Sequence, residues 1–453
     1  MKVVGASAAG VALGDSWQIV EAGEPEENEK QAQGKLPHPS ARVQRFESLA
    51  FGMFVHWGLY SQLGKGEWAM NMHAIPKDEY LKLMDTFTAE GFRGRDLARA
   101  AKQAGMRYIT LTSRHHDGFS MYDTRGLSKL DVTNTPCGRD LIADFCDGCR
   151  EEGIVPMLYC TTLDWSDPRF NDDFDSYLGY LRDSIELLCT NYGEIGGFWF
   201  DGNWAKPNAD WKEDELYAVI RKHQPQAMII NNVGLNAGGS LGHPEIDSTT
   251  FEQHAPKPLD RSGWEKHVAV EMCKTFNRHW GIGELDFNMF SPAHVIELLG
   301  VCRGAGSNLL LNVGPGASGR LPDYERAAIA RVGDWVRMVG DTQSTIYQGR
   351  PCGIRSEGRD FGLAIGELEQ AESIDLFVYS LTETAGSWTQ ESPHGPGART
   401  YSGVPAAFTK ATWVDSGESI ELSRDERGDL VMQTKKYPYG TDTVVRVARL
   451  TRG

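Results

Sequence analysis

The sequence predicts an α/β protein in two parts, a (β/α)8-like barrel over residues 41–349 followed by an antiparallel β-sandwich over residues 350–453. Three observations predict it. Short apolar runs alternate with amphipathic helical stretches from Phe51 to about Gly349, the texture of parallel strands joined by right-handed crossovers. No dinucleotide fingerprint opens the first strand–helix unit, so closure into a barrel fits better than an open sheet. Beyond Gly349 the helical period disappears, and short β-type runs separated by Gly, Pro, Ser and Asp turns replace it.

In order, FGMFVHWG, MRYITLTS, IVPMLYCT, GGFWFDG, AMIINNVG and SNLLLNVG read as buried strands, rich in β-formers and bounded by Gly or polar residues. Between and after them, FRGRDLARAAKQAG, GRDLIADFCDGCREEG, FDSYLGYLRDSIELLCTNYG, WKEDELYAVIRKHQ, SPAHVIELLGVCRGAG and YERAAIARVGDWVRMVG read as helices. Several of these stop at Gly, the residue that enters a left-handed conformation without a Cβ clash. In the last part, FGLAIGEL, SIDLFVYSL, ATWVDSGESIEL, DLVMQTKKY and TVVRVARLT supply the strands. Residues 1–40 are set apart from the fold. Val3 to Gly14 is too short and too rich in Gly and Ala to span a membrane. It reads either as the tail of a twin-arginine signal whose arginine pair is missing or as a flexible terminus, followed by a solvated linker. The first reading implies export to the periplasm or beyond, the second a cytoplasmic protein.

At 453 residues, the chain holds one large catalytic-type domain and a smaller partner. Hydrophobic residues make up 40% and charged residues 24%, which argues against extensive disorder. The net charge of −16 would repel a phosphate backbone, so nucleic acid is excluded as a partner, and no membrane partner is expected. Eight cysteines in a chain of this length do not form a disulfide scaffold. Cys146 and Cys149 form the one CxxC; without a second pair it cannot close a zinc site, and it reads as two half-buried helix thiols.

Catalytic groups of a β/α barrel gather where strands end and βα loops begin. Those points carry His56 and Trp57, then Glu67 and Trp68; Arg114, His115, His116 and Asp117; Tyr159, Asp164 and Trp165; Trp199 and Asp201; Asn231 and Asn232, then Asp247 and Glu252; and Asn312. This set is aromatic, acidic and rich in histidine, with almost no lysine. Aromatic faces stack on the C–H faces of sugars while carboxylates and imidazoles grip hydroxyls, and two carboxylates are the minimum for hydrolysing a glycosidic bond. GAGSN precedes a strand instead of following one, the wrong context for a dinucleotide site.

FGMFVHWGLYS, GEWAMNM, AGMRYITLTSRHHDGFSMYDT, GFWFDGNW, WEKHVAVEMCKTFNRHWGI and SNLLLNVGPGASGRL resemble, in this order, the successive motifs of the α-L-fucosidases of glycoside hydrolase family 29. HHDGF and the FWFDG strand together make the resemblance specific. It implies a barrel followed by a β-sandwich and a retaining exo-hydrolase, free of metal and cofactor, that releases terminal L-fucose from oligosaccharides or glycoconjugates. It places the nucleophile on Asp201 and the fucose pocket on His56, Glu67, Trp68, His115, His116, Tyr159 and Trp199. DSTTFEQ resembles the family's acid/base stretch and places that role on Glu252. Some members carry an Arg that helps hold the acid/base where this chain has Val233.

Each assignment has a plainer competitor. Asp201 could cap the next segment, though an Asp that closes an apolar strand is poorly placed for that. Glu252 could be a solvated loop carboxylate. His115 and His116 could ligate a metal, but adjacent residues on an extended strand point to opposite faces, so chelation would need a kink. Glu271 in VAVEMC fits a supporting carboxylate or a reserve acid, and Trp280 reads as core. Alternative functions are a barrel glycosidase of other sugar specificity and a degenerate, non-catalytic sugar-binding protein. A homo-oligomer is compatible with all of these.

Overall fold

Alternation along each strand of the first part divides two apolar layers. Phe54, Tyr108, Met157, Tyr159, Trp199, Met228, Ile230, Ala269, Cys273 and Leu310 share one buried cluster. Their strand neighbours Met53, Val55, Ile109, Leu111, Leu158, Phe198, Phe200, Ile229, Val270, Met272, Leu309 and Leu311 belong to another. Because side chains alternate faces at a period of two, a sheet with both faces apolar must be covered on both. The computed structural model, which describes residues 38–453 apart from 234, 236, 237, 357, 382–395 and 438–440, resolves this as a closed barrel. The signal-like stretch Val3 to Gly14 and its linker lie outside the described residues.

The barrel strands are β1 (Phe51–Val55), β2 (Tyr108–Arg114), β3 (Val155–Thr161), β4 (Gly197–Asp201), β5 (Met228–Asn231), β6 (Ser248–Glu252), β7 (Ala269–Thr275) and β8 (Asn308–Val313). All pair in parallel with their sequence neighbours, and β8 closes on β1 through Phe51 to Val55. Helices Gly94–Gln103, Leu141–Glu152, Phe174–Asn191, Glu213–His223, Pro292–Gly304 and Asp323–Val339 cover the outside. The first two pass at backbone contact: a Cβ on Gly94 would lie 2.1 Å from the Asp144 carbonyl oxygen, so only glycine fits there. Asp140 caps Leu141–Glu152 through the Ala143 amide, and Gly153 ends it in the left-handed region. The helix Ala41–Glu47 plugs the N-terminal end of the barrel with Val43 and Phe46, both in the interior cluster.

Two barrel strands depart from the sequence expectation. Ser248–Glu252 was expected as a loop and is β6; VAVEMC only begins to read as a strand and is β7. Ser248, Thr249 and Thr250 are fully buried despite their polarity, so no apolar run marks β6. Among the described residues, no helix separates β5 from β6 or β6 from β7.

The C-terminal strands begin at Arg350. They are β9 (Arg350–Arg355), β10 (Phe361–Ala364), β11 (Ser373–Val378), β12 (Gly397–Tyr401), β13 (Phe408–Trp413), β14 (Leu422–Arg424), β15 (Leu430–Thr434) and β16 (Arg446–Arg452). They form antiparallel sheets in the orders β13-β16-β11-β10-β9 and β12-β15-β14. Leu376, Val378, Trp413 and Leu450 of the first share a core with Tyr401, Leu430 and Met432 of the second, the face-to-face packing expected of a sandwich. Phe377, Tyr379 and Val447 turn instead into the barrel's outer core, and Trp335 donates its indole N–H to the Val445 carbonyl at 2.9 Å.

Candidate active site

Asp201 closes β4 at the C-terminal mouth of the barrel. Gly202 follows with φ 118°, and a Cβ there would lie 2.5 Å from the Leu163 nitrogen, so glycine alone lets the chain turn away and leave the carboxylate in the pocket. Tyr159 donates its hydroxyl to Asp201 Oδ2 at 3.0 Å, Trp204 donates its indole N–H to Oδ1 at 2.9 Å, and His116 Nε2 stands 3.4 Å from Oδ2. Burial pushes the Asp201 carboxyl up, but the His116 contact and charge and the Trp204 and Tyr159 hydrogen bonds outweigh it and hold Asp201 below its ordinary value.

Glu252 closes β6, and Asn232, just past β5, stands between it and Asp201. The Asn232 Nδ2 lies 2.7 Å from Glu252 Oε2 and 3.5 Å from Asp201 Oδ1. One amide nitrogen touching both carboxylates keeps them within two hydrogen-bond lengths. That is compatible with the roughly 5–5.5 Å separation of retaining glycosidases. Burial first, then the charge of Asp201 and more weakly that of Glu67, push Glu252 up to about 7. The titrations of two neighbouring carboxyls are thereby driven apart, Asp201 downward and Glu252 upward.

The walls are imidazole and aromatic. Asn312 donates Nδ2 to the Trp280 carbonyl at 2.6 Å, so its Oδ1, 2.7 Å from His56 Nδ1, must accept the His56 proton. This fixes the tautomer, with the other ring nitrogen free to accept a hydroxyl; burial lowers His56 to about 3, so it stays neutral. Burial, then His116 and His56, also push His115 far down. Thr161 spends its one proton on the Leu163 carbonyl at 2.6 Å, so His116 Nδ1, 2.6 Å from the same hydroxyl, is the donor. Glu67 Oε2 accepts the backbone N–H groups of Trp280 and Gly281 at 3.1 and 2.8 Å. Trp68 packs edge-on to His116 and Trp165 and stacks over Trp204, with ring centroids 5.7, 5.0 and 5.9 Å away.

Histidines 115 and 116 do not point apart as an extended strand requires. Strand β2 ends at Arg114 with its register to β3 shifted between Thr112 and Arg114, and the two rings lie 4.3 Å apart on the same side. His115 stacks on Tyr159, which stacks in turn on Trp199. Trp199 lies under the pocket, 2% exposed, and gives its indole N–H to Glu271 Oε2 at 2.9 Å, while Tyr108 donates to Oε1 at 2.6 Å. Glu271 is wholly buried with both oxygens engaged.

Asp247 belongs elsewhere. It enters β6 instead of leaving it, at the opposite end of the barrel, where it meets Arg42 and Arg221 at 3.0 and 2.6 Å. Trp280, expected as core, is partly exposed; its ring lies 5.0 Å from that of His56, and it helps lower the Glu252 carboxyl. Sequence reasoning also passed over Trp204, which stands three residues beyond Asp201 inside GFWFDGNW, and gave Asn232 no role. Among the described residues no three His, Cys, Asp or Glu side chains converge to hold a metal ion.

A parallel barrel whose C-terminal mouth holds one carboxyl lowered and its neighbour raised, between aromatic and imidazole walls, is the apparatus of a glycoside hydrolase. The chain belongs to the alpha-L-fucosidase family, whose sequence model, described as Alpha-L-fucosidase, matches residues 20–341. It is 25% identical over 340 residues to the tissue alpha-L-fucosidase of Rattus norvegicus, covering 69% of this chain and 71% of that one. It is 23% identical over 352 residues to an alpha-L-fucosidase of Branchiostoma floridae, covering 70% and 75%. Among solved structures, alpha-L-fucosidase isoenzyme 1 from Paenibacillus thiaminolyticus superposes with a TM-score of 0.76 at 29% identity, over 91% of this chain and 99% of that one.

Proposed function

We propose that the protein is a retaining exo-α-L-fucosidase in which Asp201 is the nucleophile and Glu252 the acid/base. The observation that carries this reading is the carboxyl pair joined through Asn232, with Asp201 held low and Glu252 raised to about 7. Asp201 attacks the anomeric carbon of a terminal fucoside as Glu252 protonates the leaving oxygen, giving a β-fucosyl ester. Glu252, now ionised, takes a proton from water, whose oxygen attacks the same carbon and releases α-L-fucose. His56, His115, His116 and Glu67 face the sugar hydroxyls, Trp68 covers one side, and Trp199 and Tyr159 form the floor. Glu271 orients Trp199 from below. A panel of nitrophenyl glycosides tests the specificity: the α-L-fucoside should be cleaved and other sugars left intact. Preferential cleavage of another sugar would favour a barrel glycosidase of different specificity, and fucose binding without turnover a degenerate one.

The two histidines should respond differently to replacement. His115→Ala removes a contact to a neutral hydroxyl, worth about 0.5–1.5 kcal/mol in kcat/KM. His116→Ala also removes the first group that lowers Asp201, so its acid limb should move to higher pH, because Asp201 must be ionised to attack. Rate measurements across pH separate the two, and unchanged limbs in His116→Ala would contradict the assignment. Activity should also be insensitive to chelators.

The division into a catalytic domain over residues 41–349 and a sandwich over 350–453 belongs to the same proposal. Phe377, Tyr379 and Val447 complete the barrel's outer core. A chain ending at Gly349 should therefore aggregate or melt well below the full chain. A soluble, fully active fragment would instead make the sandwich an independent module.

A further inference from the structure

Consecutive asparagines leave β5 on opposite faces. Asn231 turns outward and gives its amide to Glu213 Oε1 and the Tyr217 hydroxyl at 3.2 and 2.9 Å, anchoring the helix Glu213–His223. Asn232 turns into the mouth, where Thr250, on the same face of β6 as Glu252, donates its hydroxyl to Asn232 Oδ1 at 2.9 Å. That bond orients the amide. With Oδ1 occupied, Nδ2 points at Glu252 Oε2 and Asp201 Oδ1, and the reverse orientation would set a carbonyl oxygen against two carboxyls. Val233, the next residue, offers no polar side-chain atom to the pair.

We propose that Asn232, oriented by Thr250, is the positioning residue of the acid/base: it binds Glu252 Oε2 and so keeps the transferable proton on Oε1. This rests on the fucosidase reading above and adds which atom delivers the proton and what holds it there. In the first step the Oε1–H bond breaks, its electron pair stays on Oε1, and the proton passes to the leaving oxygen as the glycosidic bond breaks. In the second, Oε1 takes the proton of the attacking water. Through both, Oε2 keeps its amide donor, so the carboxyl does not rotate between steps. The amide also eases the repulsion between the two carboxyls when both are ionised, at the fucosyl-free, high-pH end of the cycle.

Among the described residues, the groups that face Glu252 are Asp201 on β4, Tyr159 on β3, Cys273 on β7, Glu67 after β1, Trp280 after β7 and Asn232 itself. Asp201 and Glu67 raise its carboxyl, whereas Asn232 and Trp280 lower it by hydrogen bonding. Removing the Asn232 donor therefore moves the alkaline limb of kcat/KM to higher pH. Asn232→Asp keeps the shape of the side chain but replaces the donor with a third carboxyl, so it should move the limb at least as far as Asn232→Ala. A misplaced acid costs most where the leaving group needs a proton. Both variants should lose about 10- to 100-fold on a fucosyl disaccharide, yet stay near the parent on fucosyl fluoride. Thr250→Val leaves Asn232 in place with its amide free to rotate, and should show smaller changes in the same directions.

The test is the pH profile and the disaccharide-to-fluoride ratio of the parent enzyme and these three variants. An Asn232→Asp enzyme with the parent limb and the parent ratio would overturn the proposal, as would an equal loss on both substrates with the limb unmoved. Should the asparagine variants fail to fold, a Thr250→Val enzyme indistinguishable from the parent in both readouts would overturn it equally. A parent enzyme that cleaves neither substrate would refute the fucosidase reading instead.

Discussion

Replacing Asp201 with glycine is expected to lower the turnover of an aryl α-L-fucoside by on the order of 10⁴-fold or more, because no other group can form the covalent intermediate. The fold should survive, since the carboxylate contributes hydrogen bonds at the pocket surface and Gly202 already supplies the turn. The space left by the carboxylate adjoins donors from Tyr159 and Trp204 that would receive an anion. Added azide should therefore restore part of the rate by attacking the anomeric carbon directly. A single displacement inverts that carbon, so the product should be β-fucosyl azide. Retention of about a tenth of the activity without azide would remove Asp201 from the nucleophile's role.

Replacing Glu252 with alanine should cost about 10²–10⁴-fold on fucosides with sugar leaving groups. Far less should be lost at the first step on a dinitrophenyl fucoside or fucosyl fluoride, whose leaving groups need no proton. The pH dependence gives an independent sign. Glu252 must be protonated at the start, and burial and Asp201 raise it to about 7, so activity falls as pH rises through that value. Asp201 must be ionised and is held below its ordinary value, which places the acid limb low. Loss of Glu252 should abolish the alkaline limb and leave the acid limb in place. Glu271→Ala should not reproduce this pattern, because Glu271 holds Trp199 and Tyr108 and touches no open space. If leaving-group dependence and a flattened alkaline limb appear with Glu271→Ala instead, the roles are reversed.

What was legible in the sequence followed from local pattern. FGMFV, GFWFD and NLLLNV announce strands because both faces of a barrel strand are apolar, and Asp201 is conspicuous because it closes one of them. STTFE was not legible as β6, since two of its threonines are satisfied from the adjacent strands, Thr249 by the Ala269 carbonyl and Thr250 by Asn232, and the local sequence does not reveal that. The same long-range pairing hid Asn232, whose partners lie on β4 and β6. Glu271 could be a support or an acid until its burial beneath Trp199 was visible. The turn that brings His115 and His116 side by side depends on a register shift against β3, which the alternation rule cannot foresee.

The configuration of the first sugar released tests the retaining mechanism most directly. Hydrolysis of 4-nitrophenyl α-L-fucoside, followed by proton NMR from the first turnover, reads it before mutarotation scrambles the anomers. Two inversions through a fucosyl-Asp201 ester predict that α-L-fucose appears first and the β anomer only later. Initial release of β-L-fucose would mean a single displacement, and with it that Asp201 and Glu252 are not a nucleophile and its acid.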